Sequence, residues 1–313
     1  MRRCLIAVLG LLVLEDTRAQ GVSSLRDVRS VRGHTAAVRA LAYSPDGTAL
    51  ASCSDDGSLK LWDATDLTAI RSFRGAGDAV MCLSFSPDGR LLASGSKDKI
   101  VTLWEVKSGK PIRTFEAHSG AVVGVAFHPF RPILASAGRD HTIKLWDLDT
   151  HKVVRTLRTQ SVNCFVFSPD GKRIVAGSGK GAVEFWANGS VIRTFKSRAL
   201  HIYGVAHSRD DKFVAVAGKG GGIQIHDTRT GKSVVSRRAG KTGMAAAFRP
   251  DGQRVATGLY EKIYLVDLPL KQEIEASVKH PSWIFCLTYS PDSRHLASGD
   301  GKGNLRLFRT DKE

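Results

Sequence analysis

The feature that most constrains this chain is a segment of about 41 residues that recurs seven times. The best-formed copy, residues 83–104, contains three apolar runs joined by a Ser-Pro-Asp-Gly turn and a second polar turn. Proline presets the dihedral of such a turn and glycine accepts a positive φ, so each copy predicts short antiparallel strands. The position of the turn proline recurs at steps of 42, 42, 40, 40, 41 and 41 residues, at Pro45, Pro87, Pro129, Pro169, Arg209, Pro250 and Pro291.

Repeats of this length with four strands each are typical of β-propeller blades. Residues 25–31 form an isolated fourth strand before the first copy, whereas the seventh copy ends its third strand at Phe308. Pairing these two strands covers both exposed edges and closes the ring. The sequence therefore predicts an all-β, seven-bladed propeller, closed by the N-terminal strand on the C-terminal blade, as a single domain over residues 20–313.

The N-terminus has the three parts of a secretory signal peptide. Arg2 and Arg3 precede an apolar run over residues 5–14, and the small residue Ala19 follows it. This pattern predicts a signal peptide over residues 1–19 and an exported protein; a cytoplasmic location is the alternative. The apolar run is too short to cross a bilayer of about 30 Å as a helix, so no transmembrane segment is expected.

The repeats resemble the WD40 (WD-repeat) family over residues 25–308. The similarity rests on the repeated Ser-Pro-Asp-Gly turns and on Gly33-His34, Trp62-Asp63 and Trp146-Asp147. The resemblance implies a rigid, non-catalytic platform that binds proteins or peptides. It also implies an internal hydrogen-bond network of His, Asp, Ser and Trp, whose members here are His34, Asp56, Trp62, His118, Asp140 and Trp146, with Asp98 and Trp104 in the second repeat.

The resemblance places the usual docking surface where the first strands begin and the second turns emerge. Aromatic and arginine side chains dominate binding hot spots, and this sequence has several at those positions. Trp283 is open to a second interpretation, in which Pro281 packs it under its own loop. The candidate partner-binding face consists of Arg39, Asp55, Lys97, Arg139, Tyr203, Trp283 and Phe285.

The charge of the chain favours acidic partners. It has 46 basic and 30 acidic residues, for a net charge of +16. The same slot of five fourth strands holds an arginine, which predicts either a solvated rim or an anionic docking belt: Arg29, Arg71, Arg113, Arg155 and Arg193. Nucleic-acid binders usually interleave aromatic residues with their basic groups, so nucleic acid is not the expected partner.

No motif in the sequence indicates catalysis, a cofactor or a metal. The segments ending in Gly-Lys-Ser and Gly-Lys-Thr have His226 and Val235 where a phosphate-binding loop requires glycine. The chain has no His-Glu-x-x-His or Cys-x-x-Cys pattern. We therefore predict a monomeric, non-catalytic scaffold for a protein or peptide. The first alternative is a basic binder of polyanions or nucleic acid, and the second is an enzyme with a site at the channel mouth.

Overall fold

The computed structural model describes residues 25–73, 77–238, 240–269 and 271–310, and only the backbone of residues 274–278. The predicted signal peptide, residues 1–19, lies outside this range. In the part of the chain described, no helix has the length and apolar character needed to cross a membrane.

The described residues form seven four-stranded antiparallel sheets, each of them one blade. Blades 1 to 3 contain β2 (Val38–Tyr43), β3 (Ala49–Ser54), β4 (Leu59–Asp63), β5 (Ala69–Phe73), β6 (Val80–Phe85), β7 (Leu91–Ser96), β8 (Ile100–Glu105), β9 (Pro111–Glu116), β10 (Val122–Phe127), β11 (Ile133–Gly138), β12 (Thr142–Asp147) and β13 (Val153–Arg158). Blades 4 to 6 contain β14 (Cys164–Phe167), β15 (Arg173–Gly177), β16 (Ala182–Ala187), β17 (Ser190–Lys196), β18 (Ile202–His207), β19 (Phe213–Gly218), β20 (Gly222–Asp227), β21 (Ser233–Arg237), β22 (Gly243–Phe248), β23 (Arg254–Leu259), β24 (Lys262–Asp267) and β25 (Gln272–Lys279). Blade 7 contains β26 (Ile284–Tyr289), β27 (His295–Asp300), β28 (Asn304–Arg309) and, from the N-terminus, β1 (Arg26–Arg32).

The predicted closure of the ring is confirmed. β1 pairs antiparallel with β28, from Arg26 opposite Arg309 to Arg32 opposite Asn304. Leu25, just before β1, is buried in the same apolar cluster as Phe308. The first and last strands of the described residues therefore share one sheet and one core.

The core lies between blades, because the first and second strands of each blade pack on the next. Val38, Val80, Val122 and Ile284 hold equivalent positions in their first strands and are fully buried. Blades approach so closely that a Cβ added at Gly95 would lie 2.5 Å from Cγ1 of Val122 in the next blade. The repeat is thus stabilised mainly by its neighbours, as in other repeat architectures.

The antiparallel strands give the propeller two different ends. The upper end carries the starts of the first strands, such as Arg39, and the turns between second and third strands, such as Asp55. The lower end carries the Ser-Pro-Asp-Gly turns and the turns between third and fourth strands. In the first of these turns, the Ser44 hydroxyl donates to Asp46 at 2.5 Å while Gly47 has φ +73°.

The fourth-strand arginines form contacts between blades. Nη1 of Arg71 donates to the carbonyl of Ser108 in the next blade at 2.9 Å. Arg193 repeats this contact with the carbonyl of Thr228, also at 2.9 Å. These two arginines therefore hold neighbouring blades together at the rim, which argues against a docking belt made of this slot alone.

Candidate binding surface at the channel mouth

One residue from each first strand points into the central channel at the upper end. In six blades this residue is an extra one between two paired positions of the first strand, a β-bulge, which turns its side chain toward the channel. These side chains line a cavity of about 350 Å³. The ring, which we call the channel ring, consists of Arg39, Met81, Val123, Asn163, Tyr203, Met244 and Phe285.

Three predicted residues of the candidate face belong to the channel ring: Arg39, Tyr203 and Phe285. The expected arc around the channel is therefore present. The other four members of the ring escaped the sequence-based search, which selected for aromatic and charged types. They stand at the same register position, so alignment of the repeats on the small residue that follows it could have found them.

Arg39 is held in place by two neighbours. Its guanidinium donates to both carboxylate oxygens of Asp55, with Nε–Oδ1 and Nη2–Oδ2 distances of 2.7 and 2.5 Å. The same group lies 4.9 Å from the ring centroid of Phe285, in cation–π geometry. Two fixed partners reduce the conformational entropy that Arg39 would lose on binding, so this part of the mouth is preorganised.

Trp283 lies beside the channel ring on the rim of the mouth. Its side chain is 43 % exposed, and its ring meets that of Tyr260 edge-on at a centroid distance of 5.1 Å. The tryptophan therefore rests on the neighbouring blade with one face open to solvent. This exposure agrees with the interpretation of Trp283 as a surface residue and not with its burial under its own loop by Pro281.

The two remaining predicted residues lie on second turns. Arg139 lines the channel cavity and is exposed. Lys97 is exposed on the corresponding turn of blade 2 but does not line the cavity. The structure thus brings Arg139 together with the channel ring and leaves Lys97 at the periphery.

The predicted internal network is present in blade 1. Nε1 of Trp62 donates to Oγ of Ser52 at 2.8 Å, and Ser52 Oγ lies 2.7 Å from Nε2 of His34. Nδ1 of His34 lies 2.7 Å from Oγ of Ser58 and 3.3 Å from the carboxylate of Asp56. Because tryptophan only donates and an ionised carboxylate only accepts, the hydrogen bonds run in one direction from Trp62 to Asp56.

Blade 3 repeats the network and blade 2 keeps parts of it. In blade 3, His118 lies 2.9 Å from Asp140 and 2.8 Å from Ser136, which accepts from Trp146 at 2.9 Å. In blade 2, Trp104 donates to Ser94 at 2.8 Å, while Asp98 binds the Ser96 hydroxyl and the backbone N–H of Asp78. The predicted His and Asp residues of blades 1 and 3 thus support buried tryptophans, whereas Asp98 binds groups of its own turn and of the preceding loop.

Two blades replace missing network members with residues from other positions. In blade 7, Lys302 stands where other blades have the turn aspartate, and Asp300 replaces it. Asp300 lies 3.3 Å from His280, which is 2.9 Å from the Ser298 hydroxyl. In blade 4, Glu184 accepts the Trp186 indole N–H at 3.1 Å. Burial raises the pKa of Glu184, and this hydrogen bond opposes the rise. Repeat alignment misses both replacements, because each comes from a different register position.

The network predicts a loss of stability in mild acid. Burial disfavours the imidazolium of His34 and outweighs the attraction of Asp56, lowering its pKa from 6.5 to about 4. Between pH 6.5 and 4, His34 is therefore protonated in the unfolded chain but neutral in the folded chain. The stability that neutral His34 contributes is complete above pH 6.5 and is lost as the pH falls toward 4. We expect the free energy of unfolding to fall by about 1–3 kcal/mol over this interval. Urea unfolding at several pH values measures it.

A histidine variant separates this effect from the titration of other groups. His34→Asn should cost about 1–3 kcal/mol at pH 7, because Ser52 and Asp56 lose their partner. It should also show a smaller loss of stability between pH 6.5 and 4 than the unmodified chain. If the free energy of unfolding fell equally with pH in the two proteins, the assignment of a neutral, buried His34 would be contradicted.

Comparison with known proteins agrees with this architecture. The family model described as IFT122 first beta-propeller matches residues 57–309, and that described as WD domain, G-beta repeat matches residues 25–63. A "Serine-threonine kinase receptor-associated protein" of Gallus gallus is 28 % identical over 156 residues, which cover 49 % of this chain and 43 % of that protein. The "Small ribosomal subunit protein RACK1y" of Oryza sativa subsp. japonica is 27 % identical over 159 residues, covering 47 % of each. The chain thus matches less than half the length of these relatives.

The family match and the geometry lead to the same assignment. The matched region, residues 57–309, runs from blade 1 through blade 7, and the Trp-Ser-His-Asp network occupies the positions that the repeat resemblance implied. The chain therefore belongs to the WD40 β-propeller family represented by the IFT122 first-propeller model.

Proposed function

We propose that this protein is a non-catalytic platform that binds a protein or peptide at the upper mouth of its channel. The single observation that carries the proposal is the channel ring, which combines Arg39, Tyr203 and Phe285 with two methionines around one cavity. Aromatic, Arg and Met side chains are the types enriched in protein interfaces. The preorganised Arg39, which Asp55 holds through Nε and Nη2, offers its remaining N–H groups to a carbonyl or carboxylate of the partner.

Two further facts support a protein partner. The relatives from Gallus gallus and Oryza sativa are named for association with a receptor and for membership of a ribosomal subunit. In addition, the exposed Trp283 extends the aromatic surface beyond the cavity itself, so that a partner larger than the cavity can make contact.

The channel ring is tested by alanine variants. Tyr203→Ala, Phe285→Ala and Trp283→Ala should each weaken partner binding by more than about 1 kcal/mol, since each removes an aromatic contact. Affinity capture with the unmodified chain and mass spectrometry identifies the partner, and isothermal titration calorimetry with that purified partner measures each variant.

Ile192→Ala is the matched control, because Ile192 is 57 % exposed on an outer strand far from the channel mouth. It should bind as the unmodified chain does. Normal binding by all three aromatic variants would overturn the proposed surface. Binding that instead collapses with added salt, equally for heparin and for the partner, would favour the polyanion alternative.

A further inference from the structure

Half of the ten large apolar side chains that are exposed in the described part of the chain hold one position that repeats from blade to blade. The residue before the fourth-strand arginine is apolar and between 45 and 57 % exposed in five blades: Val28, Ile70, Ile112, Val154 and Ile192. A feature shared by so many blades belongs to the architecture of the repeat. A binding site particular to this protein requires a place where the sequence of one blade differs from the others. Two turns that depart from the repeat in this way lie next to each other at the lower end, between blades 3 and 4.

The first departure is the first turn of blade 3, which reads His-Pro-Phe-Arg-Pro instead of Ser-Pro-Asp-Gly. Nδ1 of His128 accepts hydrogen bonds from the backbone N–H groups of Phe130 and Arg131 at 3.0 and 3.1 Å. These bonds replace the ones that the serine and aspartate side chains make in most other first turns. The Phe130 side chain is not needed for the turn and is 74 % exposed. The six other blades have aspartate at this position.

The second departure is the turn between the third and fourth strands of blade 4. Four residues, 187–190, separate the paired Trp186 and Val191, whereas six, 105–110, separate Trp104 and Pro111 in blade 2. The short turn has Asn188 and Gly189 at φ +51° and +88°, the geometry of a two-residue Asn-Gly hairpin. The space that the longer turn fills in other blades is therefore left open here.

The short turn also changes the surroundings of Arg155. Its counterparts Arg71 and Arg193 donate to carbonyls of the longer turns, at Ser108 and Thr228. The guanidinium of Arg155 instead lies against Gly189, where a Cβ would be 2.6 Å from Nη1. Arg155 thus lines the open space rather than closing it.

The two departures line one cavity of about 260 Å³ between blades 3 and 4. Its lining combines polar and charged groups with apolar side chains, among them Ile133, Leu145, Val154, Leu157, Phe167 and Trp186. A typical small-molecule site encloses roughly 300–1,000 Å³, so this cavity suits one large side chain better than a whole small molecule.

The charge around the cavity is one-sided. Among the described residues that line it, four are cationic and none is acidic. Arg173 is paired with Asp211. Within the described part of the chain, the structure shows no ion pair for the other three, Arg131, Arg155 and Lys172. A cavity that contains apolar side chains and has a cationic rim complements an apolar side chain flanked by carboxylates.

We propose that the groove between blades 3 and 4 at the lower end, bordered by Phe130, Arg131, Arg155 and Lys172, binds an acidic peptide segment. A bulky apolar side chain of the segment enters the cavity, and its flanking carboxylates meet the cationic rim. Phe130 packs on the peptide outside the cavity. This site lies at the end of the propeller opposite the channel ring and does not depend on the proposed function.

A peptide accounts for these features better than a nucleic acid does. Binders of single-stranded nucleic acid stack successive bases on several exposed aromatic rings along a basic groove. Here Phe130 is the one strongly exposed aromatic ring among the described residues at the rim, and aliphatic side chains such as Ile133, Leu145 and Val154 line the cavity. The apolar side chains in the cavity offer no favourable contact to a phosphate backbone.

A photo-cross-linking peptide tests the site directly. The probe is a short fluorescent peptide of Asp and Glu around a central Leu-Phe pair, with benzoylphenylalanine in place of the Phe for cross-linking. We expect saturable binding by fluorescence anisotropy and cross-links that map to residues 129–131, 154–155 and 186–189. Cross-links confined to the channel ring, or no saturable binding, would overturn the proposal.

Two double variants of matched chemistry complete the test. Phe130→Ser with Lys172→Glu should weaken the peptide at least tenfold. Ile112→Ser with Arg90→Glu makes the same kinds of change on blade 2, at exposed positions, and should stay within twofold. Equal binding by both double variants would contradict the site. Equal affinity for a control peptide with Ser-Ser in place of Leu-Phe, or for oligo-dT, would also overturn it, because only charge would then be recognised.

Discussion

Deletion of residues 20–32 is expected to open the propeller and lower its melting temperature by about 10 °C or more. The deletion removes β1, which pairs with β28 at six positions through backbone hydrogen bonds, each of them worth about 1 kcal/mol net. It also uncovers Phe308, now fully buried beside Leu25. For a chain of this size, a loss of about 5 kcal/mol corresponds to a shift of this order. Differential scanning calorimetry measures it.

The freed edge of β28 should also make the truncated protein aggregate, since an unpaired edge strand is a template for other chains. A synthetic peptide of residues 20–32 should restore part of the lost stability when added in trans. Asp27→Ala is the control: Asp27 lies 2.5 Å from Arg306 at the surface, and its loss should cost less than about 1 kcal/mol. An unchanged melting temperature on deletion would contradict closure by β1.

Replacement of Trp62 by alanine should lower the free energy of unfolding by about 3–5 kcal/mol. The side chain is 6 % exposed and packs so closely on Gly33 that a Cβ there would lie 2.8 Å from the indole ring. Its removal leaves a cavity and takes away the indole N–H that donates to Ser52. The Ser52 hydroxyl is then held less firmly in its hydrogen bond with His34. Urea unfolding monitored by far-ultraviolet circular dichroism measures the loss.

Trp283→Ala is the matched comparison, because the same side chain is lost from a partly exposed position. We expect it to cost less than about 1 kcal/mol. Similar losses for both tryptophans would mean that Trp283 belongs to the core and that the docking surface lies elsewhere.

The spacing of the turn prolines and the two incomplete ends allowed the blade count and the closure to be predicted from sequence. The turns and strands are local features, because each depends on residues near it in the sequence. The closure is not local, and it was predicted by counting the strands that each end of the repeat array lacks. Local alternation along the strand predicted that Arg39, Tyr203 and Phe285 point away from the buried residue before each of them. The β-bulge that turns these side chains toward the channel became visible only in the structure. The arrangement of Trp62 and His34 could be anticipated because the first repeat carries these residues at the positions that the family resemblance implies.

The contacts between blades could not be anticipated in this way. Arg71 reaches Ser108, Asp300 replaces an aspartate from another position, and the turn at Asn188 leaves room beside Arg155 and Phe130. Each of these depends on side chains that the ring brings together from different strands or blades. The sequence alone determined what each blade is and how many there are. The tertiary structure decided which gaps between blades are filled and which stay open, because packing between blades depends on turn length and side-chain reach across the interface.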